Sequence, residues 1–217
     1  MEAVFSYIIS HTDKILECTR QHISLSFTAV ALACLVGIPV GFLIVNYKKT
    51  SAIVINIANV IQTIPSLALY AFAMPLFGIG RKPAVFALFL YALLPIIKNT
   101  LIGIRNVDPA TLRAARGMGM SPVQIMIQVE IPLAVPTIMG GVRIAAVTGI
   151  GIATIATLIG AGGLGSIIYQ GLGMSNQSMV LSGAVFSAML ALIVDFVLGR
   201  LEHALTSKGI IISRTRK

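Results

Sequence analysis

Residues Ala110 to Pro136 read ATLRAARGMGMSPVQIMIQVEIPLAVP, the least apolar long segment of a chain that is otherwise close to continuous hydrocarbon. Asp108 stands as an N-cap and Pro109 at the first helical position, so a short helix is expected to carry Ala and Leu residues, Leu112 among them, as far as Gly117 and Gly119. Ser121 and Pro122 repeat the start signal. From there Val123, Ile125, Met126, Val129 and Ile131 carry a second short piece, expected to stop at Pro132. The small residues Ala114, Ala115 and Gly119 permit close approach of another backbone, and the Met and Ile rim, Met120 and Ile125 included, suits an adaptable apolar groove. From spacing alone the segment reads equally well as an amphipathic loop lying on lipid headgroups.

The rest of the chain decides where this segment sits. Apolar residues make up 57% of the 217 positions and charged residues 11%, with a mean hydropathy of +0.95, which leaves too few polar side chains to clothe a soluble globule. The chain therefore belongs in a lipid bilayer. Sixteen Lys and Arg stand against seven Asp and Glu, a formal charge of +9. On a membrane protein such an excess marks the cytoplasmic side, and no nucleic-acid partner is expected. Cys18 and Cys34 offer neither a disulfide framework nor metal-ligand spacing.

Crossing about 30 Å of hydrocarbon takes about 20 helical residues. Five spans are expected: Ile23 to Val45, roughly Ala52 to Phe77, roughly Pro83 to Gly103, about Pro136 to Ile159, and Met179 to Gly199. The fold class is thus all-α integral membrane, with the opening segment in the loop between the third and fourth spans. An outer N-terminus places Lys48, Lys49, Arg105, Arg113, Arg116, Arg200, Lys208, Arg214, Arg216 and Lys217 on the cytoplasmic side. Lys14, Arg20, Arg81 and Lys82 are left outside, and the asymmetry favours an external N-terminus and a cytoplasmic C-terminus. Residues 1–21 carry Val4, Phe5, Ile8, Ile9, Ile15 and Leu16 on one helical face, as an interfacial helix on the outer leaflet would. The acidic residues Glu2, Asp13 and Glu17 argue against a removable signal. Residues 22–200 form the membrane domain and 201–217 a basic cytoplasmic tail.

Polar groups inside spans are expensive and invite a functional reading. Gln62, Thr63, Pro65 and Ser66 cluster where Pro65 interrupts the second span, and Asn99 and Thr100 lie in the third. They line a translocation path, or their hydroxyls and amides bond back to backbone freed by the proline. Arg143 and Asp195 lie at similar depth from the cytoplasmic face, where a structural ion pair is expected ahead of a substrate site. Lys98 is placed to snorkel.

Gly160, Gly162 and Gly165 in GAGGLG form a literal G-x-G-x-x-G. The segment follows an apolar span rather than a strand, and no acidic residue stands near 20 positions downstream, so a dinucleotide site is not expected. These glycines read instead as a closely packed bend. The phosphate-binding pattern G-x-x-x-x-G-K-[ST] does not occur, and His11, His22 and His203 are scattered, each read as an interfacial or solvated histidine. No catalytic set and no metal site is expected.

The run RAARGMG, Arg113 to Gly119, followed after nine residues by VEIP, Val129 to Pro132, resembles the cytoplasmic EAA loop of permease subunits from binding-protein-dependent ABC importers. Ala114, Ala115, Gly119 and Pro132 match that pattern, Val129 and Ile131 match conservatively, and Arg113 departs from its Glu. IQTIPSLALYAF, Ile61 to Phe72, and LIGAGGLGSIIYQGL, Leu158 to Leu172, are similar to the short permeases for glycine betaine, carnitine and choline. The resemblance implies a type I ABC importer permease fold of about five transmembrane helices in a bacterial cytoplasmic membrane. It implies a loop (Leu112, Arg113, Ala114, Ala115, Gly119, Met120, Pro122, Ile125) that docks on a separate cytoplasmic ATPase carrying ATP and magnesium. It also implies a second permease and an extracytoplasmic substrate-binding protein. The function implied is the pathway subunit of an ATP-driven importer for quaternary ammonium osmoprotectants. A permease for another small solute such as an amino acid remains open, as does an ion-coupled secondary carrier. An aromatic cage for a quaternary ammonium is not expected here, because the chain has no Trp and five Tyr.

Overall fold

The structure is a computed structural model that describes residues 2–206. Its ten α-helices are α1 (Glu2–Ser10), α2 (Thr12–Ile44), α3 (Lys48–Thr63), α4 (Ser66–Phe77), α5 (Arg81–Arg105), α6 (Pro109–Gly117), α7 (Pro122–Ile125), α8 (Ile131–Ala153), α9 (Gly165–Gly173) and α10 (Gln177–Leu205). A π-helical turn, Met126–Glu130, joins α7 to α8, and a 3-10 turn, Ile155–Ile159, follows α8. Among the described residues four helices are long and apolar enough to cross a membrane: α2, α5, the run Pro122–Ala153, and α10. The pair α3 and α4 reaches that standard only together, and it is bent by 100°.

That bend falls at Pro65, where the second span expected over Ala52 to Phe77 is interrupted. Ile64 is extended, with ψ at 126°, and Pro65 follows it. A residue before proline is sterically driven out of the α region, and proline has no N–H with which to continue the ladder. The Tyr91 hydroxyl donates to the Ile64 carbonyl and so satisfies an acceptor that the break leaves free.

One correction lies at the N-terminus. Helix α2 runs unbroken for 33 residues from Thr12, so residues 12–21 are continuous with the first span and only α1 stands apart, beyond the turn at His11. The expected single face is also divided: Ile8 and Ile15 pack inward with Tyr7, Cys18 and Phe186, whereas Phe5, Ile9 and Leu16 are exposed.

Helices α5 and α8 form the centre, with α2 and α10 packed around them. Their contacts are built on small residues, since no hydrophobic force drives helix against helix in lipid and close dispersion contact must do so. A Cβ on Gly141 of α8 would lie 2.6 Å from Asn99 Cβ and 2.7 Å from the Pro95 carbonyl oxygen of α5. Ala33, Ala92 and Ala145 fill the adjoining layer with Ile96. Helices α2 and α5 run parallel, because Thr28 meets Arg81 at one end and Gly41 meets Thr100 toward the other.

Candidate functional site

The short helices between α5 and α8 follow their local signals. The Asp108 carboxylate accepts from the Ala110 N–H at 2.9 Å, and Pro109 takes the first helical position of α6. At the other end Met120 N–H donates to Ala115 O and Gly119 N–H to Arg116 O, the two bonds of a Schellman cap. Gly119, at φ +80°, is the left-handed residue that this cap requires. Ser121 and Gln124 then form a reciprocal capping box, with bonds of 3.3 and 2.8 Å.

The second piece does not stop at Pro132, which corrects the expected boundary. The Ile131 N–H reaches back five residues to Met126 O, and the wider turn absorbs the N–H missing at Pro132. Helix α7 therefore continues through the π turn into α8, and the loop's second half is the foot of a membrane span.

Of the expected docking residues, Arg113, Ala114, Gly119 and Pro122 are exposed and Leu112 and Met120 half-buried. Ala115 and Ile125, at 2% and 6% exposure, are the buried residues of α6 and α7, which pack on each other. Both side chains are therefore turned away from the exposed face of the pair. Met118, 75% exposed, is an outward apolar side chain that sequence reasoning passed over.

The expected path residues are brought together only in part. Gln62, Asn99 and Tyr91 line an open groove of about 590 Å³ with Lys98, Pro95, Ile144 and Thr148, between α3, α5 and α8. That size lies within the range of small-molecule clefts, about 300–1,000 Å³. Gln62 donates to Tyr91 O at 2.9 Å and Asn99 to Pro95 O at 2.8 Å, so both amides are partly engaged by backbone. Thr63 donates to Val60 O at 2.7 Å; neither Thr63 nor Pro65 nor Ser66 lines the groove. Thr100 is fully buried against Gly41 of α2 and donates to Ile96 O, which takes it out of the path altogether. Lys98, expected only to snorkel, lines the groove and gives the lining a full positive charge. Tyr91, Pro95, Lys98 and Ile102 recur at helical spacing, and that stripe is the signal that would have found it.

Arg143 and Asp195 are in contact. Arg143 Nε donates to Asp195 Oδ1 at 2.9 Å and Nη2 to Oδ2 at 3.0 Å, while Nη1 donates to Glu202 at 3.0 Å. Glu202 was missed because the fifth span was ended at Gly199. It follows Asp195 by seven residues, two turns along the same face of α10.

The glycine bend is tied to α2. Gln21 accepts from the Gly163 N–H at 3.0 Å, and His22 Nδ1 accepts from the Leu164 N–H at 3.2 Å. The His22 proton must then be on Nε2, which donates to Ile150 O at 3.0 Å. His22 is fully buried, against the expectation of an interfacial or solvated histidine.

A bundle of apolar helices with an open groove carrying Gln62, Lys98, Asn99 and Thr148, and a capped helix pair at one end, suits a multi-pass membrane transport component. Residues 33–207 match the family described as binding-protein-dependent transport system inner membrane component, and the chain belongs to that family. The chain is 44% identical to the carnitine transport permease protein OpuCB of Listeria monocytogenes, over 97% of this chain and 96% of that one. It is 40% identical to the glycine betaine/carnitine/choline transport system permease protein OpuCB of Bacillus subtilis (strain 168), over 97% of each. Among solved structures, an inward-facing conformation of the MetNI methionine ABC transporter matches with a TM-score of 0.80 and 25% identity, covering 89% of this chain and 96% of that one. The fold is that of the type I ABC importer permeases, and the chain is a transport subunit of the inner membrane rather than an enzyme. Membership implies an ATPase and a substrate-binding protein as partners.

Proposed function

We propose that this chain forms half of the translocation pathway of an ATP-driven importer for glycine betaine, carnitine or choline. The observation that carries the substrate class is the 44% identity to a carnitine permease across nearly the full length of both chains. The groove agrees with it: Tyr91 is its single aromatic residue, so selectivity falls to the separate binding protein and the passage itself holds its cargo weakly. Ile53, Ile57 and Val60 are exposed along one face of α3, turned away from groove-lining Gln62, and a second permease chain packs on that face. The exposed residues of the α6–α7 pair dock on the cytoplasmic ATPase, which carries ATP and magnesium, and a capped rigid pair transmits displacement where a flexible loop would absorb it. On this reading the N-terminus lies outside and the C-terminus inside, as the distribution of Lys and Arg favours.

The test is uptake into vesicles holding the assembled complex, with ATP inside and the binding protein outside. Glycine betaine, carnitine and choline should compete with one another, and methionine should not. Uptake of methionine alone overturns the substrate class and favours the amino-acid reading that the 25% identical methionine transporter represents. Uptake driven by an ion gradient without ATPase would favour a secondary carrier.

A further inference from the structure

Arg81 and Lys82 are two exposed cations at the end of the bundle opposite the α6–α7 pair, where the charge asymmetry of the sequence leaves them unexplained. Neither takes part in an ion pair among the described residues. Arg81 is held in place: its Nη2 donates to Ser24 Oγ at 2.8 Å, and to Ser24 O and Thr28 Oγ1, each at 3.2 Å. Below the two cations opens an apolar groove of about 490 Å³ lined by Leu32, Val36, Phe77, Val85, Phe86 and Phe89. Because α2 and α5 run parallel, its walls are in register: Thr28, Leu32 and Val36 descend α2 beside Arg81, Val85 and Phe89 on α5. Eight residues of helix cover about 12 Å, most of one leaflet's half of the ~30 Å hydrocarbon core.

We propose that this groove binds one anionic phospholipid, with its phosphate between Arg81 and Lys82 and an acyl chain between α2 and α5. Charge complementarity and depth select this occupant. A partner helix would leave two cations unpaired at its end, whereas a phospholipid presents an anion at the interface and hydrocarbon below it in the spacing the groove offers. The first two positions of α5 also carry the positive end of its helix dipole, which adds to the same field. The site is independent of which solute is transported.

The test uses the full chain, purified in mild detergent and delipidated, titrated with phosphatidylglycerol and phosphatidylcholine of equal chain length and followed by native mass spectrometry. The wild type should retain phosphatidylglycerol about thirtyfold better, the ratio that about 1 kcal/mol for each of the two interfacial cations produces. Lys82→Gln, which removes no intramolecular bond among the described residues, should lower that preference about fivefold with an unchanged melting temperature. Val36→Trp, which fills the groove, should weaken both lipids. Equal retention of the two lipids by the wild type, or an unchanged preference in Lys82→Gln, overturns the proposal. So does displacement of the lipid by equimolar glycerol phosphate, which would show a headgroup site only. Efficient disulfide formation between two Val36→Cys chains would show that a second copy covers the groove, and would overturn it as well.

Discussion

Arg143 of α8 and Asp195 of α10 meet through two parallel hydrogen bonds, of 2.9 and 3.0 Å, while the third face of the same guanidinium turns to Glu202. One cation therefore serves two carboxylates spaced seven residues apart, and the three groups tie the C-terminal half of α10 to α8.

Removing the cation should hurt more than removing either anion. Arg143→Met leaves Asp195 and Glu202 facing one another, whereas Asp195→Asn still leaves the Glu202 bond. The expected order of melting temperatures in detergent is wild type, then Asp195→Asn, then Arg143→Met. A charge swap of Arg143 and Asp195 should restore only part of the loss, because an acid at 143 would face Glu202. Full recovery would show that Glu202 takes no part.

Two changes in the helix pair separate folding from docking. Gly119→Val forces a β-branched residue to φ +80° and should cost about 1–2 kcal/mol of local stability, with ATPase stimulation by substrate lost in proportion. Arg113→Glu touches an exposed side chain and should change co-purification with the ATPase without moving the melting temperature. Ala115→Glu, at a site 2% exposed, should instead lower expression, since it buries a charge.

In the groove, Lys98→Ala and Thr148→Leu should each lower the uptake rate while leaving solute affinity of the isolated binding protein unchanged. Thr100→Leu should act differently. Thr100 packs against Gly41, so its variant should reduce folded yield before it affects transport, a difference that size-exclusion profiles and vesicle uptake together resolve.

His22→Ala removes the acceptor of the Leu164 N–H and the donor to Ile150 O in a fully buried site. A loss of about 1–3 kcal/mol for each group left unpaired is expected, concentrated at the glycine bend. Faster hydrogen exchange at Leu164 than at α5 amides would show it; uniform exchange would show that Gln21 alone holds the bend.

The helices and the capped loop were legible in the amino-acid order because their causes are local. Long apolar runs mark the spans of α2, α5 and α10, and Asp108-Pro109, Gly119 and Ser121-Pro122-x-Gln124 each cap backbone groups within a few residues of themselves. The facing of side chains was not legible in the same way. Asn99 and Thr100 are neighbours in sequence and about 100° apart around α5, so one looks into the groove and the other into α2. Which of them does so depends on where α2 and α8 pack. The same holds for Lys98, for the 100° angle between α3 and α4, and for Glu202 beside Arg143. His22 shows it most plainly: its two ring nitrogens bond residues 128 and 142 positions away, and no pattern within reach of one helical turn records contacts that exist only once the bundle has closed.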